Sequence, residues 1–350
     1  MSEAGKEAVS SELDEARQGD AADVAEPSDA ELLERTADAA KRLRAAIAEA
    51  VVGQDAVVEL MLVTLAARGH ALLVGVPGLA KTLLVASLAR ALDLSFGRVQ
   101  FTPDLLPADI TGTDVLHEHG GARSLRFSPG PIFHNLVLAD EVNRTPPKTQ
   151  AALLEAMQER KVTVGTTTHL LPDPFQVFAT RNPIEQEGTY PLPEAQLDRF
   201  LLEIHVEYPS EAEEREVARR TTSGKPPVIE PVLRAADVRA IGQLVPRIPV
   251  TDEAVNLAVD LARATRPASE RVASEVRDYV RYGAGPRGSQ GLVLAAKARA
   301  ALHGEAAADV DDVRAVIVPV LRHRIVLSYR AEADGVRDLD VLRAVEKNLR

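Results

Sequence analysis

The sequence contains no cysteine and no tryptophan, and aromatic residues make up only 3% of its 350 positions. The absence of cysteine excludes a disulfide framework, a thiol nucleophile and a zinc site with cysteine ligands. No run of about 18 apolar residues is present, so the sequence predicts no transmembrane helix. The amino terminus is acidic and lacks the apolar segment of a secretory signal. We therefore expect a cytoplasmic protein whose core is built from alanine, leucine and valine.

Acidic charge is concentrated at the amino terminus. Residues 1–35 carry eleven Asp/Glu and three Lys/Arg, a balance of −8 within a net charge of −11. This segment cannot bury enough apolar surface to offset the entropy of ordering it, so we predict a disordered leader over residues 1–36. The remaining chain is nearly neutral and shows no basic stripe, which argues against a dedicated nucleic-acid-binding protein.

Apolar patterning predicts alternating strands and helices up to about residue 209. Short apolar runs that end in turn residues are typical of buried parallel strands, whereas apolar residues spaced three or four apart are typical of helices. The predicted strands are residues 70–76, 135–139, 175–180 and 201–208, and the predicted helices are 38–52, 81–92 and 146–159, the last capped by Thr145 with Pro146 at its first position. Residues 161–171 alternate around a glycine and predict a hairpin.

This alternation predicts an α/β fold with a mostly parallel sheet flanked by helices. After about residue 209 nearly every segment has a helical pattern, and Thr251 and Pro286 are predicted helix starts. Residues 223–232 are rich in proline and predict a connecting segment. We therefore expect a leader (1–36), an α/β nucleotide-binding domain (37–209), a linker (210–232) and a smaller all-α lid domain (233–350).

The segment GVPGLAKT, residues 75–82, stands between a predicted buried strand and a predicted helix, which is the context of a phosphate-binding loop. Backbone N–H groups of such a loop and the helix N-terminus bind anions. Lys81 is expected to contact the outer phosphates and Thr82 to ligate Mg²⁺ through its hydroxyl. Ala80 replaces the second glycine of the usual pattern, and a left-handed backbone there would cost an alanine about 1 kcal/mol. The plain alternative is a Gly/Pro turn.

Two carboxylates, Asp140 and Glu141, follow the apolar run LVLA directly. In α/β folds the carboxyl ends of parallel strands are where ligands bind, so these side chains are expected beside the phosphate loop. Asp140 would hold Mg²⁺, and Glu141 would orient and deprotonate the attacking water. The alternative is a strand that runs into an acidic turn.

Three more residues fit phosphoryl transfer less specifically. Asn182 follows a third buried strand and could fix a water and the terminal phosphate, although an Asn-Pro turn is the plain alternative. Arg199 could stabilise charge on the transferred group, also from a neighbouring subunit; the alternative is a surface ion pair. Arg287 lies in the first turn of a predicted helix, where a cation opposes the helix dipole and a nucleotide phosphate would explain it.

These motifs, in this order, resemble the AAA+ ATPases and among them the MoxR family. The resemblance covers about residues 47–350 and is carried by five segments: residues 51–58, 75–82, 98–116, 138–159 and 178–200. The family commonly has alanine at the position of Ala80. Arg181 stands where the family usually has glutamine.

The resemblance implies ATP and Mg²⁺ as cofactors, with Walker A, Walker B, sensor 1, arginine finger and sensor 2 motifs. The catalytic residues it implies are Lys81, Glu141, Asn182 and Arg199, and the metal ligands are Thr82 and Asp140. The nucleotide-binding residues it implies, with the first three on the adenine side, are Val52, Gly53, Gln54, Gly75, Val76, Pro77, Gly78, Leu79, Ala80, Lys81, Thr82, Leu83 and Arg287.

The same resemblance implies a homo-oligomeric ring, usually hexameric, that acts as a chaperone-like ATPase on a client protein. ATP would bind between the α/β domain and the lid. A partner with a von Willebrand factor type A domain is expected, and residues 100–112 would form an insert that faces the central pore. The chain has no aromatic-apolar-glycine threading loop, so the resemblance does not extend to complete threading of a substrate.

Three other functions remain open at this point. A nucleic-acid motor or loader uses the same motifs, but the nearly neutral body argues against it. A non-catalytic, nucleotide-gated scaffold would not need both Asp140 and Glu141. A small-molecule kinase would use the same loop, and the helical lid and Arg199 disfavour it.

Overall fold

The computed structural model describes residues 27–119, 122–184, 188–222, 224, 228–269 and 272–349. In chain order the strands are β1 (Ala71–Val74), β2 (Phe96–Gln100), β3 (Gly112–His119), β4 (Ala122–Pro129), β5 (Leu136–Asp140), β6 (Lys161–Val164), β7 (Thr167–Leu170), β8 (Gln176–Arg181), β9 (Leu202–His205), β10 (Val280–Tyr282) and β11 (Val326–Leu327).

The helices are α1 (Asp29–Ala48), α2 (Asp55–Ala66), α3 (Lys81–Ala91), α4 (Pro107–Thr111), α5 (Pro147–Glu159), α6 (Glu194–Leu197), α7 (Glu211–Thr221), α8 (Ala235–Leu244), α9 (Asp252–Ala264), α10 (Ser274–Tyr279), α11 (Pro286–His303), α12 (Val310–Ala315), α13 (Ile317–Leu321), α14 (Tyr329–Ala333) and α15 (Asp338–Asn348).

The central sheet of the described chain has five strands in the order β2-β5-β8-β1-β9, and all its pairs are parallel. Neighbouring residues of a strand face opposite sides: Leu72 packs in one apolar layer with α5, and Leu73 packs in another with α1, α2 and α3. Both faces are therefore covered, which explains why the strands are almost continuously apolar. The predicted α/β fold is confirmed.

Two antiparallel hairpins project from this domain. β3 pairs with β4 and β6 pairs with β7. The hairpins contact each other through stacked rings of Phe127 and His169, whose centroids are 3.8 Å apart. The predicted hairpin over residues 161–171 is confirmed.

The carboxyl-terminal part is helical, as predicted, and it shares an apolar core with one face of the α/β domain. Its central helix, α11, packs against α1, α2, α9 and α12. The buried residues of α11 include many alanines, which allow helices to approach closely: Ala295, Ala296, Ala298, Ala300 and Ala301. Pro286 begins α11, and Thr251 caps α9 by accepting a hydrogen bond from the Ala254 N–H. None of the described helices is long and apolar enough to cross a membrane.

The sequence-based prediction of a disordered leader was wrong for its last residues. α1 begins at Asp29 because Ser28 caps it: the Ser28 hydroxyl accepts from the Glu31 N–H, and the Glu31 carboxylate accepts from the Ser28 N–H. This reciprocal capping box outweighs the polar composition. Residues 1–26 of the leader lie outside the described part of the chain.

The predicted start of α5 was wrong by one residue. Pro147 rather than Pro146 is its first residue, and Pro146 has extended dihedral angles (φ −58°, ψ 154°). A residue that precedes proline is disfavoured in the helical conformation, so Pro146 can only be the cap.

Leu138 tests the buried sheet. Its side chain is fully buried at the centre of β5. We expect Leu138→Ala to lower the free energy of unfolding by about 3 kcal/mol, because it removes apolar contacts and leaves a cavity. Chemical denaturation measures this. Leu116→Ala is the matched control, since Leu116 on β3 is 58% exposed and should cost little. Equal losses for the two variants would contradict the assigned burial.

Candidate functional site

A cleft of about 420 Å³ lies at the carboxyl edge of the sheet, where β1, β5 and β8 end. All of its lining residues belong to the α/β domain. They are Pro77, Gly78, Leu79, Ala80, Lys81, Thr82, Leu83, Arg98, Asp140, Glu141, Thr180 and Asn182. The structure therefore brings together the predicted phosphate loop, both strand-end carboxylates and the predicted asparagine.

The phosphate loop, residues 75–82, connects β1 to α3 in two left-handed steps. Gly78 has φ +87° and Ala80 has φ +55°. Ala80 therefore has the left-handed backbone considered in the sequence analysis, which costs an alanine about 1 kcal/mol. At Gly75 an added Cβ would lie 2.7 Å from the carbonyl oxygen of Val206, so the backbone leaves no room for a side chain there.

Lys81 opens α3 and folds back over the loop. Its Nζ donates to the carbonyl oxygens of Gly75 (2.6 Å) and Val76 (2.8 Å). Burial lowers the pKa of the Lys81 ammonium below its usual value, and the nearby carboxylates of Asp140 and Glu141 oppose that shift. The cation is thus held between the loop and the two acids.

Asp140 ends β5, and its side chain is only 13% exposed. Its Oδ1 accepts a hydrogen bond from the Thr180 hydroxyl (2.6 Å). Its Oδ2 accepts from Arg98, at 2.7 Å from Nη2 and 3.2 Å from Nε. Both oxygens of this nearly buried carboxylate are therefore satisfied, as a charge in such a place requires.

Glu141 has a left-handed backbone, with φ +57°, which turns the chain sharply after β5. Its N–H donates to the Thr180 hydroxyl oxygen at 2.7 Å. Its Oε2 accepts from Gln100 Nε2 (2.8 Å) and from Arg144 Nη1 (3.0 Å). The carboxylate is fixed in direction by these contacts at the wall of the cleft.

Asn182 follows β8, and the residue is only 5% exposed. Its Oδ1 accepts from the Ile184 N–H at 3.2 Å. Its Nδ2 is buried and makes no hydrogen bond to any residue that the structure describes. A buried amide donor without a protein partner is costly unless a ligand or water pairs with it. The group suits a phosphate oxygen or a water in the cleft.

The side chains at the cleft fit a magnesium nucleotide. Mg²⁺ binds oxygen ligands, and the Thr82 hydroxyl and the Asp140 carboxylate are the oxygen donors that would hold it. The Lys81 ammonium, the loop N–H groups and the buried Asn182 amide are donors for phosphate oxygens. The cleft thus offers both donors for phosphate oxygens and oxygen ligands for a metal ion.

Arg199 and Arg287 lie in a second cavity of about 340 Å³, which shares no lining residue with the cleft. This arginine cavity is at the amino edge of the sheet, because its residues immediately precede β1 and β9. It is lined by Ala67, Arg68, Gly69, His70, Met157, Gln158, Arg160, Asp198, Arg199, Phe200, Leu201, Arg287, Gln290, Gly291, Leu294 and Arg324.

Asp198 ties the segment that carries Arg199 to the lid. Its Oδ1 accepts from Arg324 Nε at 2.8 Å, and its Oδ2 lies 3.6 Å from Arg287 Nη1. Arg324, which is almost fully buried, also donates to the carbonyl oxygens of Phe200 (2.7 Å) and Leu201 (3.2 Å). Lid helices therefore set the position of the arginine segment.

The structure corrects the expected placement of Arg287. The sequence and the resemblance put it at the nucleotide of its own chain, between the α/β domain and the lid. No lid residue of the described chain lines the cleft, and Arg287 instead lies beside Asp198. The physical reason is the docking of α11, whose Gly291 lies close to Leu201 at the amino edge of the sheet and so brings Arg287 beside Asp198.

The three residues expected on the adenine side are near the loop but outside the lining of the cleft. Gln54 Nε2 donates to the carbonyl oxygen of Glu207 at 3.1 Å, just after β9. An added Cβ on Gly53 would lie 2.4 Å from the Glu213 carboxyl carbon. Val52 precedes them on the same connection between α1 and α2.

Sequence reasoning missed three residues of the site: Arg98, Gln100 and Thr180. Arg98 and Gln100 are alternate residues of β2, so they face the same side, next to the end of β5. Thr180 is the polar residue that breaks the apolar run of β8. A polar residue near the end of a buried strand could have indicated a site residue. Its hydrogen-bond partner on the neighbouring strand could not be predicted without the strand order.

Two family models match this chain, one in the α/β domain and one in the lid. Residues 70–202 match the model of the ATPase family associated with various cellular activities (AAA), and residues 272–345 match the AAA lid domain. Chaperone MoxR1 of Mycobacterium tuberculosis is 46% identical over 82% of this chain and 75% of its own length. Protein MoxR of Paracoccus denitrificans is 38% identical over 81% of this chain and 87% of its own length.

The chain belongs to the MoxR family of AAA+ ATPases. A solved structure from Cytophaga hutchinsonii, described as a candidate ATPase, superposes with a TM-score of 0.85 at 40% identity and covers 91% of this chain and 97% of its own. MoxR membership confirms the resemblance seen in the sequence, the α/β fold with a lid, nucleotide binding and ATP hydrolysis as the activity.

Thr180 gives a test of the site. Thr180→Val keeps the shape but removes the hydroxyl that joins Asp140 Oδ1 to the Glu141 N–H. We expect the free energy of unfolding to fall by about 1–3 kcal/mol, because buried polar groups lose their partner. ATP turnover should fall about tenfold or more, since both carboxylates lose their alignment. Denaturation and phosphate release measure the two effects.

Thr180→Ser is the control for this prediction. Serine keeps the hydroxyl, so turnover should stay close to that of the wild type. A valine variant that turns over ATP at the wild-type rate would contradict a positioning role of the hydroxyl.

Proposed function

We propose that the chain is a Mg²⁺-dependent ATP hydrolase that works as a ring of its own copies, a hexamer, and uses hydrolysis to remodel or assemble a client protein or to insert its cofactor. The observation that carries this proposal is the separation of the phosphate cleft from the arginine cavity. Each chain has both halves of a phosphoryl-transfer site, at opposite edges of its sheet.

The cleft residues divide the chemistry of hydrolysis. Lys81 and the N–H groups of the phosphate loop would bind the phosphate oxygens, and Thr82 and Asp140 would hold the metal ion. When bound, Mg²⁺ neutralises charge that develops on the phosphates. The Glu141 carboxylate takes a proton from a water whose oxygen attacks the γ-phosphorus, and the bond to the leaving oxygen of ADP breaks. Asn182 Nδ2 orients that water.

The arginines act on the nucleotide of a neighbouring subunit. Arg199 precedes β9 and the phosphate loop follows β1, so the length of two paired parallel strands separates them. Four residues of strand span about 13 Å, which is beyond the reach of Arg199 to its own cleft when its segment is fixed by Asp198. A guanidinium from a second copy would complete the site, as arginine fingers do.

A ring follows from this use of two different edges. A contact in which one edge of a subunit meets the opposite edge of the next is head-to-tail, and such contacts close into rings when the rotation allows it. Six subunits is the number that the MoxR resemblance implies.

The hairpins provide a surface for a client. Leu116, Leu125 and Leu170 on these hairpins are between 58% and 79% exposed. Leu116 and Leu125 are directly opposite each other in the β3–β4 pair, and adjacent exposed apolar side chains are typical of protein-binding surfaces. The resemblance to the MoxR family also implies a second binding protein, a partner with a von Willebrand factor type A domain.

Glu141 tests the chemistry. Glu141→Gln keeps the size and a hydrogen-bonding oxygen but removes the base. We expect nucleotide affinity to stay within a few-fold and turnover to fall about 100-fold or more. Calorimetry and phosphate release measure these quantities. Glu159→Gln, at the exposed end of α5, is the matched control and should keep full turnover. Turnover that survives in E141Q would refute the assigned base.

Mixed rings test the arginine. Arg199→Ala leaves the phosphate loop intact, whereas Lys81→Ala leaves the arginine intact. Each variant alone should be nearly inactive, and mixing them should recover part of the ATP turnover, because an intact loop can then meet an intact Arg199.

A control separates complementation from dilution. Subunits that carry both substitutions should restore no activity to either single variant. A mixture of the two single variants that shows only the average of their separate rates would contradict action between subunits.

A further inference from the structure

Arg98 holds the carboxylate that the proposed function assigns to Mg²⁺. Asp140 has two oxygens, and Oδ1 is used by the Thr180 hydroxyl. The guanidinium of Arg98 reaches Oδ2 with two donors, Nη2 at 2.7 Å and Nε at 3.2 Å. A charged, two-donor contact of this kind is stronger and more directional than a neutral hydrogen bond.

The contact is built into the fold. Arg98 and Gln100 are alternate residues of β2, and β2 pairs with β5 so that Gln100 stands opposite Asp140. Arg98 Nη2 also donates to Gln100 Oε1 at 3.0 Å, and Gln100 Nε2 donates to Glu141 Oε2 at 2.8 Å. The two β2 side chains therefore form one hydrogen-bonded chain along both carboxylates of β5.

The positive charge of Arg98 opposes the binding of a metal ion at Asp140. The side chain of Asp140 is 13% exposed, so the carboxylate is held in place. The side chain of Arg98 is 49% exposed, so the guanidinium lies at the mouth of the cleft. Since the Thr180 hydroxyl already contacts Oδ1, a divalent cation that Asp140 holds through Oδ2 would share that oxygen with the guanidinium. Two cations at one oxygen repel each other in a partly buried place.

We propose that Arg98 is a positioning residue that competes with Mg²⁺ for Oδ2 of Asp140, so that the metal ion is accepted only as the guanidinium releases that oxygen. The proposal rests on the assignment of Thr82 and Asp140 to Mg²⁺ in the proposed function. Arg98 neutralises Asp140 when the metal is not bound and is exchanged for it when magnesium nucleotide enters.

The test is the coupling between Arg98 and Mg²⁺ in nucleotide binding. Calorimetry gives the dissociation constant of ADP for the full-length protein with excess Mg²⁺ and with EDTA. ADP is not hydrolysed, so the measurement does not depend on activity. The dissociation constant measured with EDTA, divided by the one measured with Mg²⁺, reports how strongly Mg²⁺ supports ADP binding. The change of this ratio on substitution is the coupling between Arg98 and Mg²⁺.

Arg98→Met removes the charge and keeps much of the length. We expect the ratio to rise about two- to fivefold, the size of a partly exposed ion pair. Arg98→Lys keeps a cation near Asp140 and should lie between the wild type and R98M. Arg90→Met, at the exposed end of α3 and outside the cleft lining, is the matched control and should leave the ratio unchanged.

The outcomes separate the two proposals. A ratio that stays the same or falls in R98M and R98K, while the wild type binds ADP more tightly with Mg²⁺, would overturn the competition and leave the proposed function in place. Equal ADP affinity with Mg²⁺ and with EDTA in the wild type and in R98M would overturn the magnesium assignment, and the competition with it. The lysine variant keeps the test valid if R98M folds poorly.

Discussion

The parallel direction of the strands determines which segments of the chain meet at the candidate site. All five strands of the described central sheet are parallel, so their carboxyl ends share one edge and their amino ends share the other. Segments that are far apart in the sequence therefore meet at the carboxyl edge: the phosphate loop after β1, Asp140 and Glu141 at β5, and Asn182 after β8. The same constraint keeps the segment before β9, with Arg199, away from them.

The need to pair a buried carboxylate determines which side chains lie around Asp140 at the carboxyl edge. The Asp140 carboxylate is nearly enclosed, and an unpaired carboxylate there would be unfavourable. Thr180 and Arg98 satisfy its two oxygens from the strands on either side of β5. Because the Thr180 hydroxyl also accepts the N–H of Glu141, one residue of β8 fixes both acids of the neighbouring strand. The site is thus held by contacts between strands rather than within one motif.

This distinction explains how far the sequence could lead. The loop at residues 75–82 and the Asp140-Glu141 pair are each contained in one strand and its following turn, so local patterning found them. Arg98 and Thr180 act across strands whose order does not follow the chain, and no spacing in the sequence gives that order. Arg287 lies beside Asp198 through the docking of α11, which is a tertiary contact. The start of α1 was readable from Ser28 and Glu31, but the acidic composition around them favoured disorder.

Polar contacts of the lid hold the arginine segment at the amino edge of the sheet. Arg324 and Arg287, both from the lid, meet Asp198, and Arg324 also holds two carbonyl groups of the segment that ends at β9. A shift of the lid would therefore displace the segment that carries Arg199, because Arg324 is buried against it. In the head-to-tail ring that we propose, Arg199 would face the cleft of the next subunit. Lid position in one chain would then bear on phosphoryl transfer in its neighbour, while the chain's own cleft is formed by its α/β domain.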